Sequence, residues 1–264
     1  MKDAPEEGDR VAGAPHPRTV QRLIGQEAAE AAMLEAWCTG QMHHAWLIGG
    51  LEGIGKATFA YRVARFMLAA GGPAAATLDV PADLPAVKRI MAQSNSDLFV
   101  LRRATTPERA TLPSVIPVEE VRKTVGFLGS TAASGGWRVV IVDSLDELNV
   151  AGANALLKSL EEPPPRVLFL LIAHRPGRVL ATIRSRCRKL MLRPLNETDL
   201  ARVLIEVVGL DAATPGFAEA IAAAGGSARR ALALLDPEQA AVHAATRAVL
   251  TSLPSVDGMA LHAL

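Results

Sequence analysis

The sequence predicts an α/β chain: a three-layer domain built on a parallel sheet, followed by a small α-helical domain. Three observations carry that expectation. Short apolar runs, Val139–Val142 and Val167–Ile172 among them, alternate with stretches of helical apolar spacing as far as Leu192. Strands covered on both faces read as such near-continuous apolar runs. A glycine-rich turn, Gly49 to Gly55, joins an early apolar run to a helix. After Pro194 the strand signals stop and only helical spacing remains.

Composition bounds the function classes. Half of the 264 residues are hydrophobic, enough for a sizeable core without disulfides. The two cysteines, Cys38 and Cys187, lie far apart and show no metal-ligand spacing, which points to a reduced, cytoplasmic setting. A formal net charge of +1 argues against broad electrostatic capture of nucleic acid. Residues 1–17 are polar and read as a flexible N-terminal arm, neither signal peptide nor anchor. No uninterrupted apolar run is long enough to span a membrane.

In order, Ala28 to Trp37 has helical spacing and Gly40 stops it. His43 and His44 read as a solvated turn before the strand Ala45–Ile48. The helix after the glycine turn carries Phe59, Val63, Phe66 and Met67 on one stripe. A surface excursion with a short helix over Leu84 to Met91 leads to the strand Leu98–Leu101. Arg102-Arg103 at its end read as a solvated strand end rather than a nucleic-acid contact. Val118, Val121, Val125 and Leu128 mark the inner face of a helix opened by Pro117 and Glu119-Glu120. The strand ending in Asp143 follows. Asn149 then caps a helix with Val150, Ala153, Leu157 and Leu160 inward, stopped by Pro163-Pro164-Pro165. Beyond Val167–Ile172 come a short helix over Arg178 to Ile183 and a last strand, Lys189–Leu192. In the helical remainder, Asn196 with Asp199 reads as a capping box, with Leu200, Val203, Leu204 and Val207 inward. A helix with Phe217 and Ile221 inward, one over Ala228–Leu235 capped by Ser227, and one over Ala240–Leu250 complete the chain.

Two motifs carry chemistry. Gly50 to Lys56 has the G-x-x-x-x-G-K spacing of a P-loop, whose backbone N–H groups curl around a phosphate while the lysine supplies a point charge. The hydroxyl that should follow the lysine as a Mg²⁺ ligand is missing, because that residue is Ala57. Thr58 comes one place late, about 100° around the helix. The run Val139–Asp143 is a Walker B pattern, which delivers a carboxylate at the C-terminal end of a buried strand. Asp143 reads equally well as a buried strand-end cap. The next residue is Ser144, not a water-orienting Glu, and Asp146 and Glu147 lie beyond that role.

Five segments together carry a resemblance: Gly50 to Lys56, Val139 to Asp143, the run Asn154 to Pro164 ending Glu161-Glu162-Pro163-Pro164, the triplet Ser185-Arg186-Cys187, and Gly226 to Leu232. They resemble the clamp-loader branch of the AAA+ ATPases over roughly residues 18–235, and within it the delta-prime subunits of bacterial DNA polymerase III more than the ATP-hydrolysing gamma/tau subunits. The resemblance implies an AAA+ P-loop NTPase-like domain over 18–193, a helical lid over 194–240, and the start of a C-terminal helical collar over 241–264 that this chain does not complete. It implies a degenerate nucleotide site drawn from Gly50, Gly53, Gly55, Lys56, Thr58 and Asp143, with Arg229 as a sensor-2 phosphate contact. Ala173 stands where a sensor-1 hydroxyl or amide would be, and His174 after it reads as structural or exposed. That site would require no cofactor, bind ATP, ADP or phosphate weakly at most, and hold no metal; with no cysteine between Gly71 and Asp97, no zinc is expected. Arg186 is implied as an arginine finger given in trans to a neighbour's ATP. The implied partners are the gamma/tau and delta subunits of a hetero-pentamer, the sliding clamp and, indirectly, primed DNA. An active gamma/tau-like ATPase and a free-standing nucleotide-binding regulator remain as alternatives.

Overall fold

A computed structural model describes residues 10–69, 74–103, 112–129 and 136–251. The chain divides into two compact units, Met1–Pro194 and Leu195–Leu264.

The first unit is built on five parallel strands: β1 (Ala45–Gly49), β2 (Leu98–Arg102), β3 (Arg138–Asp143), β4 (Val167–Ala173) and β5 (Arg188–Met191). They lie in the order β2-β3-β4-β1-β5. Strand alternation sorts their side chains into two cores. Trp46, Ile48, Val139, Ile141, Leu168, Leu170 and Ile172 face one side, against α1 (Glu27–Cys38), α2 (Lys56–Leu68) and α3 (Pro85–Met91). Ala45, Leu47, Val140, Val142, Phe169, Leu171 and Ala173 face the other, against α4 (Val118–Gly129), α5 (Val150–Glu161) and α6 (Ala181–Arg184). This is the predicted three-layer parallel α/β architecture. The central strands β1, β3 and β4 are buried along their full lengths, which is why they read as unbroken apolar runs.

The α2 stripe of Phe59, Val63, Phe66 and Met67 is buried as predicted. Two helix faces differ from expectation. On α4 the buried positions are Val121, Thr124 and Leu128, while Val125 is exposed. On α5 they are Gly152, Ala153, Leu156 and Leu160; Leu157 is only partly buried and Val150 is exposed. The cause is the contact between these helices. A Cβ at Gly152 would stand 3.3 Å from Val121 Cγ2, so α4 and α5 pack closely there and rotate Val125 and Val150 outward. The short helix expected over Arg178 to Ile183 is a 3₁₀ turn, Pro176–Arg178, followed by α6. The last strand begins and ends one residue earlier than expected.

Of the N-terminal arm, residues 1–9 lie outside the described residues. His16, near the arm's end, is buried edge-on against Tyr61 and lies 3.1 Å from Arg102 Nη1. Buried Arg62 and Arg65 of α2 hold the chain that follows: Arg65 donates to the carbonyls of Arg18 and Val20, and Arg62 pairs with Glu30 and Asp79.

The second unit contains α7 (Glu197–Arg202), a π-helical turn (Val203–Val208), α8 (Phe217–Ala223), α9 (Ala228–Leu235) and α10 (Pro237–Thr251). Asn196 caps α7 through the Asp199 N–H, and Ser227 caps α9 through the Arg230 N–H. Leu195, Leu200, Leu204, Phe217, Ile221, Ala224 and Ala231 form its core. Val208, rather than Val207, packs beside that core, because a π turn advances the inward face by one residue. Residues 252–264 lie outside the described set, and with them most of the expected collar segment. No helix among the described residues is long and apolar enough to cross a membrane.

Candidate functional site

Three loops converge at the C-terminal edge of the sheet. Because β4 separates β1 from β3, with Gly49 opposite Ala173 and Val142 opposite Leu171, the turn after β1, the end of β3 and the end of β4 are neighbours. Open parallel sheets bind ligands at such a point, where the strand order reverses.

The glycine turn has the backbone of a phosphate cradle. Gly50, Gly53 and Gly55 have φ of 141°, 77° and 95°, the left-handed region that glycine enters without cost. At Gly50 a side chain is also excluded by space, since its Cβ would stand 2.7 Å from Ile54 Cδ1 and 2.8 Å from the Leu192 carbonyl. Gly55 precedes the first turn of α2, whose exposed N–H groups favour an anion. Lys56 is buried, and its ammonium donates to the carbonyls of Gly50, at 2.8 Å, and Leu51. Burial lowers its pKa to about 8, against the opposing pull of Asp143, Glu52 and Asp146. The lysine therefore staples its own loop, and to reach a phosphate it must leave these carbonyls.

The metal half of the site departs from the Mg²⁺-binding pattern at two positions, Ala57 and Ser144. Ala57 packs partly buried against the apolar core and offers no ligand atom. Thr58 is half-buried on α2. Asp143 is buried at the end of β3, opposite Arg102 of β2. Where a water-orienting carboxylate would follow stands Ser144, also buried, whose hydroxyl has no hydrogen-bond partner among the described residues. Asp146 is engaged elsewhere: its two oxygens accept the His174 N–H and, at 3.0 Å, the Arg175 N–H. It caps the end of β4 beside Ala173. Glu147 pairs with Arg103 at 2.7 Å, and burial raises its pKa. Among the described residues no group of three or more His, Cys, Asp or Glu could hold a metal ion.

Arg186 stands apart from this loop cluster, in the turn between α6 and β5. It is half-exposed, with Nη1 donating to the Thr182 carbonyl at 2.8 Å and Nη2 paired with Glu161 at 2.8 Å. Cys187 beside it is half-buried, and burial raises its thiol pKa to about 11, so it is an inert packing residue. Arg229 lies on α9 of the second unit, one residue after the start of that helix.

Two supporting residues escape sequence reasoning. Gln26, just before α1, is buried; its amide donates to the carbonyls of Ile54 and Arg193 and accepts the Arg193 N–H. It thereby ties the loop to the end of β5. Asp146 has the capping role just described. Neither sits in a periodic pattern, and each acts on residues 28 or more positions away.

Sequence comparisons place the chain among DNA polymerase III proteins. The protein-family profile described as "DNA polymerase III, delta subunit" matches residues 25–196. The DNA polymerase III subunit delta' of Pseudomonas aeruginosa is 42% identical over 147 residues, 56% of this chain and 42% of that protein. The DNA polymerase III subunit tau of Escherichia coli is 30% identical over 246 residues, 91% of this chain and 36% of that protein. A solved DNA polymerase III gamma-subunit-related protein of Thermotoga maritima aligns with 85% of this chain and 67% of its own, at a TM-score of 0.45 and 18% identity. The chain thus spans about half the length, or less, of the first curated relatives it matches. With the profile covering most of the chain and the delta' protein the more identical of the two relatives, the chain belongs to the DNA polymerase III delta-prime family of clamp-loader proteins.

Proposed function

We propose that the chain serves DNA replication as a clamp-loader subunit of the DNA polymerase III holoenzyme, loading the sliding clamp on primed DNA without hydrolysing ATP itself. Its chemical contribution is Arg186, presented in trans to ATP on a neighbouring gamma/tau subunit. The observation that carries this reading is a division within one domain. The loop that would hold the chain's own nucleotide has Ala57 in place of the metal hydroxyl and a buried serine in place of the catalytic carboxylate. The arginine of the Ser-Arg-Cys triplet is intact and accessible. Glu161 pairs with this arginine, and residues 163–196 contain no further Asp or Glu, so the remaining charge of the segment that carries it is basic and suits an anionic group such as a phosphate. A guanidinium placed there neutralises charge that builds on the transferring phosphoryl group, an effect worth on the order of 10³–10⁵ in rate where arginine fingers have been measured.

In this reading Gly50, Gly53, Gly55 and Lys56 keep at most weak affinity for ATP, ADP or phosphate, Asp143 serves the fold, and Arg229 is a lid contact. The partners are the gamma/tau and delta subunits, the sliding clamp and, through them, primed DNA, in the cytoplasm. The test is DNA-stimulated ATP hydrolysis by the loader reconstituted from the full natural chain carrying Arg186→Ala. Turnover at the neighbour's site should fall on the order of 10³-fold, the low end of the range for arginine fingers, while the subunit still assembles. Unchanged turnover would remove this role.

A further inference from the structure

We infer that Glu161 is a positioning residue for Arg186, fixing the guanidinium in the geometry in which it meets a neighbour's phosphate. The inference rests on the reading of Arg186 given above.

Arg186 lies in a turn and has a long, flexible side chain, which left alone would sample many rotamers. It is held from two elements. Nη1 donates to the Thr182 carbonyl of α6 at 2.8 Å and to the Ser185 hydroxyl at 3.4 Å. Nη2 is paired with Glu161 Oε1 of α5 at 2.8 Å. Among the described residues the Nε–H of Arg186 takes no acceptor, so a donor remains for an incoming oxygen.

Glu161 is the last residue of α5. A carboxylate there faces the negative end of the helix dipole and is locally unfavourable. Such a breach of local preference marks a position serving something else, and the partner that offsets it is Arg186. Its mount is rigid. Pro163 to Pro165 stop the helix directly after it, and His44, preceding β1, contacts the Leu160 carbonyl at 3.1 Å through Nε2. The two most distinctive segments of the chain, Glu-Glu-Pro-Pro and Ser-Arg-Cys, thereby form one unit joined by this ion pair. The adjacent Glu162 makes no ion pair among the described residues and is the natural control.

The test is steady-state ATP hydrolysis by the loader reconstituted from the full natural chain and its gamma/tau and delta partners, with Arg186→Ala, Glu161→Ala, Glu161→Asp, Glu162→Ala and the double variant Arg186→Ala/Glu161→Ala. Misplacement of a catalytic group by about 1 Å costs up to 10²-fold, so Glu161→Ala should lower kcat on the order of tenfold with KM for ATP unchanged. Glu161→Asp should recover most of the loss, Glu162→Ala should behave as the natural chain, and Glu161→Ala should add nothing once Arg186 is gone. A Glu161→Ala variant with unchanged or raised kcat beside a defective Arg186→Ala overturns the positioning role alone. An equal loss in the Arg186→Ala background also overturns it, because the effect would then bypass Arg186. A harmless Arg186→Ala instead removes the parent reading.

Discussion

Lys56 should give the protein an alkaline stability profile that an ordinary P-loop lysine would not. Its ammonium is buried and donates to the carbonyls of Gly50 and Leu51, and its pKa is lowered from 10.5 to about 8 by that burial, against the pull of Asp143, Glu52 and Asp146. Between these two values the unfolded chain keeps the proton and the folded chain has released it, so the unfolded state binds more protons and stability rises with pH. The gain begins as pH passes 8 and is complete above 10.5. Integrated from pH 7 to pH 10, it comes to about 2.5 kcal/mol, since a one-proton difference between the two states is worth about 1.4 kcal/mol for each pH unit crossed. Lys56→Met removes the charge at similar length and serves as the reference, cancelling every other group that titrates there. Urea unfolding can be followed by tryptophan fluorescence, because Trp37, Trp46 and Trp137 all lie in the first unit. The free-energy difference between natural chain and variant should shift by about 2.5 kcal/mol in favour of the natural chain over that interval. A difference constant to within about 0.5 kcal/mol would show a lysine with its ordinary pKa and refute the desolvation of its ammonium in the folded chain.

Other perturbations separate the parts of the molecule. Phe169→Ala, at a fully buried position on β4, should cost about 3–5 kcal/mol, read as a lowered urea midpoint at unchanged slope. Asp146→Ala should leave the His174 and Arg175 amides without their carboxylate acceptor and cost about 1.5–3 kcal/mol, with faster hydrogen exchange at those two amides. Calorimetry of the chain with ATP should give the same affinity in Mg²⁺ and in EDTA, because residue 57 offers the metal no ligand; a clear Mg²⁺ advantage would restore the active-ATPase alternative. Ala57→Thr should introduce such an advantage without hydrolysis, since Ser144 still supplies no carboxylate.

The sheet was legible because its central strands are covered on both faces, and Val139–Val142 or Val167–Ile172 can then be nothing but apolar. The helix faces were legible only in part. α2 packs against the sheet, α1 and α3 and is buried nearly all round, so all four of its stripe residues are inward. On α4 and α5 a second helix competes, and Val125 and Val150 lost to Thr124 and Gly152, which permit the closer approach. The π turn at Val203–Val208 leaves no mark in the apolar spacing except the exchange of Val207 for Val208. At the candidate site, the loop glycines, Ala57 and Ser144 are visible as departures from a motif. The pairing of Glu161 with Arg186 and the capping by Asp146 are not, because both join residues 25 or more positions apart through side chains that carry no periodic signal.

The central claim is that catalytic weight has passed from the loop around Lys56 to Arg186. It is tested most directly by comparing Lys56→Ala with Arg186→Ala, each in the full natural chain within a reconstituted loader, by DNA-stimulated ATP turnover. Arg186→Ala should lower kcat on the order of 10³-fold, the low end of the range for arginine fingers, and Lys56→Ala should leave it within about twofold, because the hydrolysed ATP sits on a neighbour. The reverse pattern, a collapse with Lys56→Ala and normal turnover with Arg186→Ala, would contradict it.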